Sequence, residues 1–202
     1  MSWPALIASI VLTILLAAPF QWFLGAGART FIRREPSPGA AWGQASFLSG
    51  IMAVAWVGLF GGLAPGATTG AALLLAAAAV ALYEWARRTA GPQRLFIGLS
   101  GQAPAALLES GPYRWFRHPF YLSYLLAFAA VAVALHSRLG GAVALANTIL
   151  FVVMALHDEH TLARSPLAPA YARYRRRVGV ILLLPWHARS AKNDRGSPSA
   201  RA

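Results

Sequence analysis

The chain has 202 residues, of which 57% are hydrophobic and 12% charged, with a formal charge of +12 at neutral pH. A soluble globular protein of this size carries about a quarter charged residues, so that class is excluded. The absence of cysteine excludes disulfides, thiolate metal sites and cysteine nucleophiles.

In chain order, five stretches read as membrane spans: residues 5–24, 45–63, 68–85, 120–135 and 140–156. Each is near the ~17–25 apolar residues that cross a hydrocarbon layer, and the last two are short enough to form a hairpin. The expected fold is all-α and polytopic, with about five transmembrane helices. The N-terminus lacks a positively charged leader region, so the first span reads as retained, with "AGA" at 26–28 as the alternative of cleavage. Spans one to three are rich in alanine, leucine and glycine, with Glu84 as their acidic group, and read as scaffold. Residues 87–119 form a glycine- and proline-rich segment containing "APAALLES" (103–110), read as a loop with a brief interfacial helix. Span four follows Pro119, which suits a first helical turn because its missing N–H would have no partner there. Span five runs into "HDEHTLARSPLAPAYARYRRRV" (157–178), where Pro166 and Pro169 bracket a turn before a basic helix. Residues 187–202 read as a disordered tail. There is no internal repeat, and residues 1–186 read as one membrane domain, with 1–86 the scaffold and 87–186 the core.

The +12 charge raises nucleic acid as a partner, but its distribution argues for topology instead. Of the 18 basic residues, 17 fall on one side of the predicted spans, with Arg138 on the other. The positive-inside rule then puts the N-terminus outside and the C-terminus in the cytoplasm, and five crossings agree in parity. Trp3, Trp22, Trp42, Trp85 and Trp186 stand near span ends, as interfacial anchors do.

Chemistry-bearing residues gather in "GPYRWFRHPFYLSYL" (111–125) and in "HDEH" (157–160) with "YARYRRRV" (171–178). About forty residues separate the first two, the length of two short spans and a turn. A helical hairpin returns the chain to the side it left, bringing Arg117 and His118 back beside Asp158 and Glu159. Taken singly, the arginines also read as topology signals or anionic-lipid contacts, and His118 as an interfacial residue without a role. The acidic pair is harder to assign to topology, since the chain has six acidic residues in all and carboxylates contribute little to orientation. His157 and His160 have a spacing that could hold a metal with Glu159, but five histidines in the chain are a sparse ligand supply, and no metal is expected.

These motifs resemble the C-terminal core of the isoprenylcysteine carboxyl methyltransferases and related phospholipid methyltransferases. The resemblance rests on "GPYRWFRHPFYLSY", the acidic pair, and then a "Y-x-x-Y-x-x-R-V" helix followed by proline, over about residues 108–185. It implies an enzyme of the bacterial inner membrane that moves a methyl group from S-adenosylmethionine to a lipophilic acceptor, with its site at the cytoplasmic face. Carried over by residue, it implies that Tyr113, Arg117, His118, Pro119 and Tyr121 line the cofactor pocket, with Ser123 in place of a common glycine. Asp158 and Glu159 would face the cofactor's polar groups, and Arg177 would orient an acidic acceptor. Arg117, Glu159 and Arg177 are the expected catalytic residues. The approach "LAPAY" departs from the family's pattern and leaves the acceptor open. Two rival readings are an NADPH-dependent membrane reductase of the sterol-reductase type and a non-catalytic accessory membrane protein. Membrane lipids and a lipophilic substrate are the expected partners, nucleic acid is not, and oligomeric state is not legible.

Overall fold

The computed structural model describes residues 2–32, 38–60, 63–91, 95–96 and 106–179. Six α-helices carry the described chain: α1 (Trp3–Thr30), α2 (Pro38–Phe60), α3 (Ala67–Ala90), α4 (Pro119–Leu135), α5 (Arg138–Ala163) and α6 (Ala168–Arg177). A 3₁₀ turn, Gly111–Arg114, precedes α4. The strands β1 (Phe31–Ile32) and β2 (Leu95–Phe96) pair in parallel, which ties the chain leaving α1 to the chain leaving α3 at one end of the bundle.

Four helices are long and apolar enough to cross a membrane, in α1, α2, α3 and α5. The fifth expected span is α4, whose 17 residues reach about 25 Å at 1.5 Å per residue, less than a hydrocarbon core of about 30 Å. It stops at His136, which turns left-handed (φ 41°), and Ser137 caps α5 by accepting from the Gly140 amide at 3.1 Å. α5 is longer than the expected 140–156, because the helix continues through "HDEH" to Ala163. The acidic pair therefore belongs to the last turns of α5. A second correction concerns "APAALLES": its described part, residues 106–110, is not helical. Leu107 and Leu108 there pack on two different clusters, one against Tyr171 and Tyr174 and the other against the main core. An extended chain allows neighbouring residues to point opposite ways in this manner. The expected tail, 187–202, lies outside the described residues, as do Arg33, Arg34 and Trp186.

The core explains why α3 and α4 lie close along their length. Thr69, Ala72, Ala76, Ala79, Tyr83, Ala86 and Ala90 form the buried face of α3. This small-residue stripe at helical spacing lets a neighbouring backbone approach, which is how helices associate where lipid removes the hydrophobic drive. Where the stripe gives way to Tyr83, an aromatic group fills the centre: Tyr83 packs on Phe23 at 4.8 Å and Phe120 at 5.0 Å, and Tyr124 on Phe47 at 4.8 Å. Asn147 of α5 takes up the buried polar capacity of α2. It accepts from Ser46 and donates to Ser49 and to the Val143 carbonyl.

α1 and α2 also meet closely at one point. Ser9 donates to the Gly58 carbonyl at 2.8 Å and accepts from the Leu63 amide at 2.9 Å. A Cβ on Gly58 would lie 1.8 Å from Thr13 Oγ1, so Gly58→Ala should destabilise by about 1–3 kcal/mol as overpacking. Adding Thr13→Ala should recover most of that loss. Thermal unfolding of the three proteins in detergent checks it, and equal midpoints for wild type and Gly58→Ala would refute the close approach.

Candidate active site

Local sequence delivers Arg117 and His118 as the last two residues before α4. Gly111 (φ 56°) starts the 3₁₀ turn, and the Trp115 and Phe116 amides fold back onto the Pro112 carbonyl at 3.0 Å each. Phe116 then bridges to Gly179, whose carbonyl accepts from the Arg117 amide at 3.1 Å. His118 is the cap residue, and its carbonyl takes the first helical bond, from the Leu122 amide at 3.0 Å. Pro119 opens α4 and is fully buried. The backbone is thus held on both sides of the Arg117–His118 dipeptide.

Opposite lie the last turns of α5, where Glu159 is the centre of the cluster. Arg117 Nη1 donates to Glu159 Oε2, and His118 Nε2 donates to Oε1 at 2.8 Å. An ionised carboxylate only accepts, so the proton of this contact sits on His118 Nε2. The side chains are 9% exposed for Arg117 and His118 and 13% for Glu159, so these are desolvated charge-assisted contacts, not screened surface pairs. One residue earlier, Asp158 accepts from the Tyr121 hydroxyl at 2.7 Å, and the Tyr121 ring stacks on His118 with centroids 5.6 Å apart.

α6 closes the cluster from outside the bundle. Its buried face is Tyr171 and Tyr174, and its arginines point outward. The Tyr174 hydroxyl donates to the Tyr113 carbonyl at 2.6 Å, and the Tyr171 hydroxyl lies 3.5 Å from Arg117 Nη1. Burial pushes the Tyr113, Tyr171 and Tyr174 hydroxyls well above the ordinary phenol range, and Glu159 adds to the effect at Tyr171. All three are therefore neutral hydroxyls, with no phenolate base among them.

The expected site residues separate into two groups. Arg117, His118, Tyr121, Asp158 and Glu159 come together as one network. Tyr113 joins through its carbonyl, its own hydroxyl being buried without a partner. Ser123 is buried within α4 and its hydroxyl is spent on the Phe120 carbonyl at 2.6 Å. Arg177 pairs instead with Glu109 at 2.6 Å, both well exposed. His157 and His160 are exposed, and His157 Nδ1 stands 3.8 Å from Asp158. Sequence reading missed Tyr171 as a member of the cluster. Its signal was the "Y-x-x-Y" spacing, which puts two aromatics on one face of a helix that is otherwise alanine, proline and arginine.

Residues 67–165 match the family model described as phospholipid methyltransferase. Over that stretch the chain belongs to the phospholipid methyltransferase family. No curated protein and no solved structure matches it. In this methyltransferase the matched stretch runs from the first residue of α3 to two residues past α5. α3 lies inside the match and α6 lies beyond it. The chain is an integral membrane methyltransferase by its family and by its apolar helices.

Phospholipid methyltransferases generally use S-adenosylmethionine, and the donor set here suits that molecule's mix of ammonium, carboxylate and hydroxyl groups. Arg117 Nε is buried with no partner, an orphaned N–H that a carboxylate would satisfy; left alone, such a group costs about 1–3 kcal/mol.

Proposed function

We propose that this protein transfers a methyl group from S-adenosylmethionine to a lipophilic acceptor, with the site at the cytoplasmic end of the bundle. The observation that carries the reading is the convergence of Arg117, His118 and Tyr121 with Asp158 and Glu159 across 37 to 42 residues of chain. S-adenosylmethionine supplies a sulfonium methyl, whose in-line displacement discharges a positive charge and favours a dry site that holds the reactants collinear.

The protein's own groups bind and orient. Arg117, fixed by Glu159 through Nη1, presents Nε–H to the donor's carboxylate. Asp158 provides negative charge for its ammonium or hydroxyl groups, and Tyr121 holds that carboxylate in place. Glu159 accepts from both Arg117 and His118, so its role is to fix both side chains, and His118 orients without acting as a base. Arg177 is the candidate for orienting an acidic acceptor, which would take the place of Glu109. Such an acceptor, already ionised, needs no proton removed. The cytoplasmic orientation is supported by charge: among the described residues Arg29, Arg87, Arg88, Arg114, Arg117, Arg164 and the arginines of α6 belong to the end where α1 and α3 finish, and Arg138 begins α5 at the other.

Calorimetry with S-adenosylmethionine in detergent tests the reading. Wild type and Arg138→Ala should bind alike, whereas the near-isosteric Glu159→Gln should lose at least about tenfold, the loss of one charge-assisted bond. Equal binding by all three would remove the pocket. The same protein in a thermal-shift comparison separates the reductase alternative, which predicts stabilisation by NADPH and none by S-adenosylmethionine. The accessory reading predicts that Arg117→Ala binds donor as Arg138→Ala does. Labelled donor with a membrane-lipid extract then identifies the acceptor.

A further inference from the structure

One residue of the cluster comes from an element beyond the family match. Tyr171 lies on α6, is 2% exposed, and has its hydroxyl 3.5 Å from Arg117 Nη1, the nitrogen that donates to Glu159. The Glu159 carboxylate is near enough to push that hydroxyl's pKa upward. It accepts from Arg117 through a lone pair, which leaves its one proton to turn toward the neighbouring carboxylate, so the hydroxyl stands beside both halves of the pair.

Among the described residues, α6 is held by the segment that leads into the Arg117–His118 dipeptide and by the end of α5. Tyr174 bonds the Tyr113 carbonyl, Gly179 accepts from the Arg117 amide, and Arg177 pairs with Glu109 in the segment before the 3₁₀ turn. Leu107 and Leu162 cover the tyrosines from either side. α6 and the residues just after it thus hold the segment carrying Arg117 through its backbone, and the ion pair through a hydroxyl. We propose that Tyr171 is a positioning residue that sets the orientation of the Arg117–Glu159 pair, so that docking of α6 completes the donor site. This rests on the assignment of that pair to donor binding, and the two ideas fail separately in the following experiment.

Tyr171→Phe keeps the buried ring and removes only the oxygen. A double-mutant cycle with Glu159→Gln is read first by thermal midpoint in detergent without ligand. The expected result is non-additivity: Tyr171→Phe lowers the wild-type midpoint but changes little in the Glu159→Gln background, because its partner is already altered. Additive losses, within about 1 °C, would overturn the proposal, since a residue that merely packs does not sense a change at Glu159. Read second is donor binding. Tyr171→Phe should weaken the Kd for S-adenosylmethionine by about three- to tenfold with the acceptor KM unchanged; unchanged donor affinity with a raised acceptor KM would also overturn it. Non-additive midpoints in a protein whose wild type binds no donor would sustain the positioning role and overturn the function proposed above.

Discussion

Glu159→Ala should cost about 3–5 kcal/mol of stability, the largest loss expected from any single substitution in the cluster. The carboxylate is shared by a guanidinium and an imidazole that are almost entirely removed from solvent. Truncating it leaves Arg117 charged, because a guanidinium does not release its proton in proteins. The buried, unpaired guanidinium then carries the penalty. The prediction therefore has a second half. Replacing both members, Glu159→Ala with Arg117→Met, should be milder than Glu159→Ala alone, since a buried pair is often replaced by apolar groups at little cost. Thermal unfolding in detergent, followed by near-ultraviolet circular dichroism, compares the three proteins. A Glu159→Ala midpoint within about 1 °C of wild type, or a double variant that is worse than the single, would show that the pair is not desolvated.

Gly111→Val should be the next most damaging, because two independent costs meet there. The residue sits at φ 56°, where a side chain costs roughly 1–2 kcal/mol and a β-branched one more. Its Cβ would also lie 2.3 Å from Thr89 Oγ1 and 3.0 Å from Thr89 Cγ2. That threonine is held by its own bond to the Trp85 carbonyl at 2.9 Å, so relief requires movement of α3 or of the turn, at about 1–3 kcal/mol. The costs can be separated experimentally. Gly111→Ala with Thr89→Ala removes most of the clash and keeps the backbone strain, so it should recover part, and not all, of the Gly111→Ala loss. Full recovery would mean that the positive φ carries no penalty. Because this turn leads into Arg117 and His118, Gly111→Val should also lower donor affinity, which calorimetry on the folded fraction would read.

Much of the architecture was legible from residues 1–179 because it depends on local quantities. Hydropathy summed over a span marks the helices, and proline and glycine mark their ends, as at Pro119 and Gly111. The hairpin argument needed only lengths: two apolar runs and a short turn must bring residue 117 back toward residue 159. By itself, then, the sequence determined the membrane class, the helical segments, the family, and the meeting of a cationic motif with an acidic one.

The tertiary structure alone decided which group meets which, because a helix rotates about 100° per residue and the absolute rotation of each helix is set by packing. The alanine face of α3 and the aromatic centre set how α4 sits, and α4 in turn aims Tyr121 at Asp158 and the preceding dipeptide at Glu159. One residue of offset in α5 thus separates two partner sets that the sequence presented as a single acidic pair. The same packing buried Ser123 against its own helix, left Arg177 with Glu109, and carried α5 through "HDEH" beyond the apolar run that ends at residue 156. It also brought Tyr171 into the cluster from a helix ten residues long, through contacts between elements that no local pattern encodes.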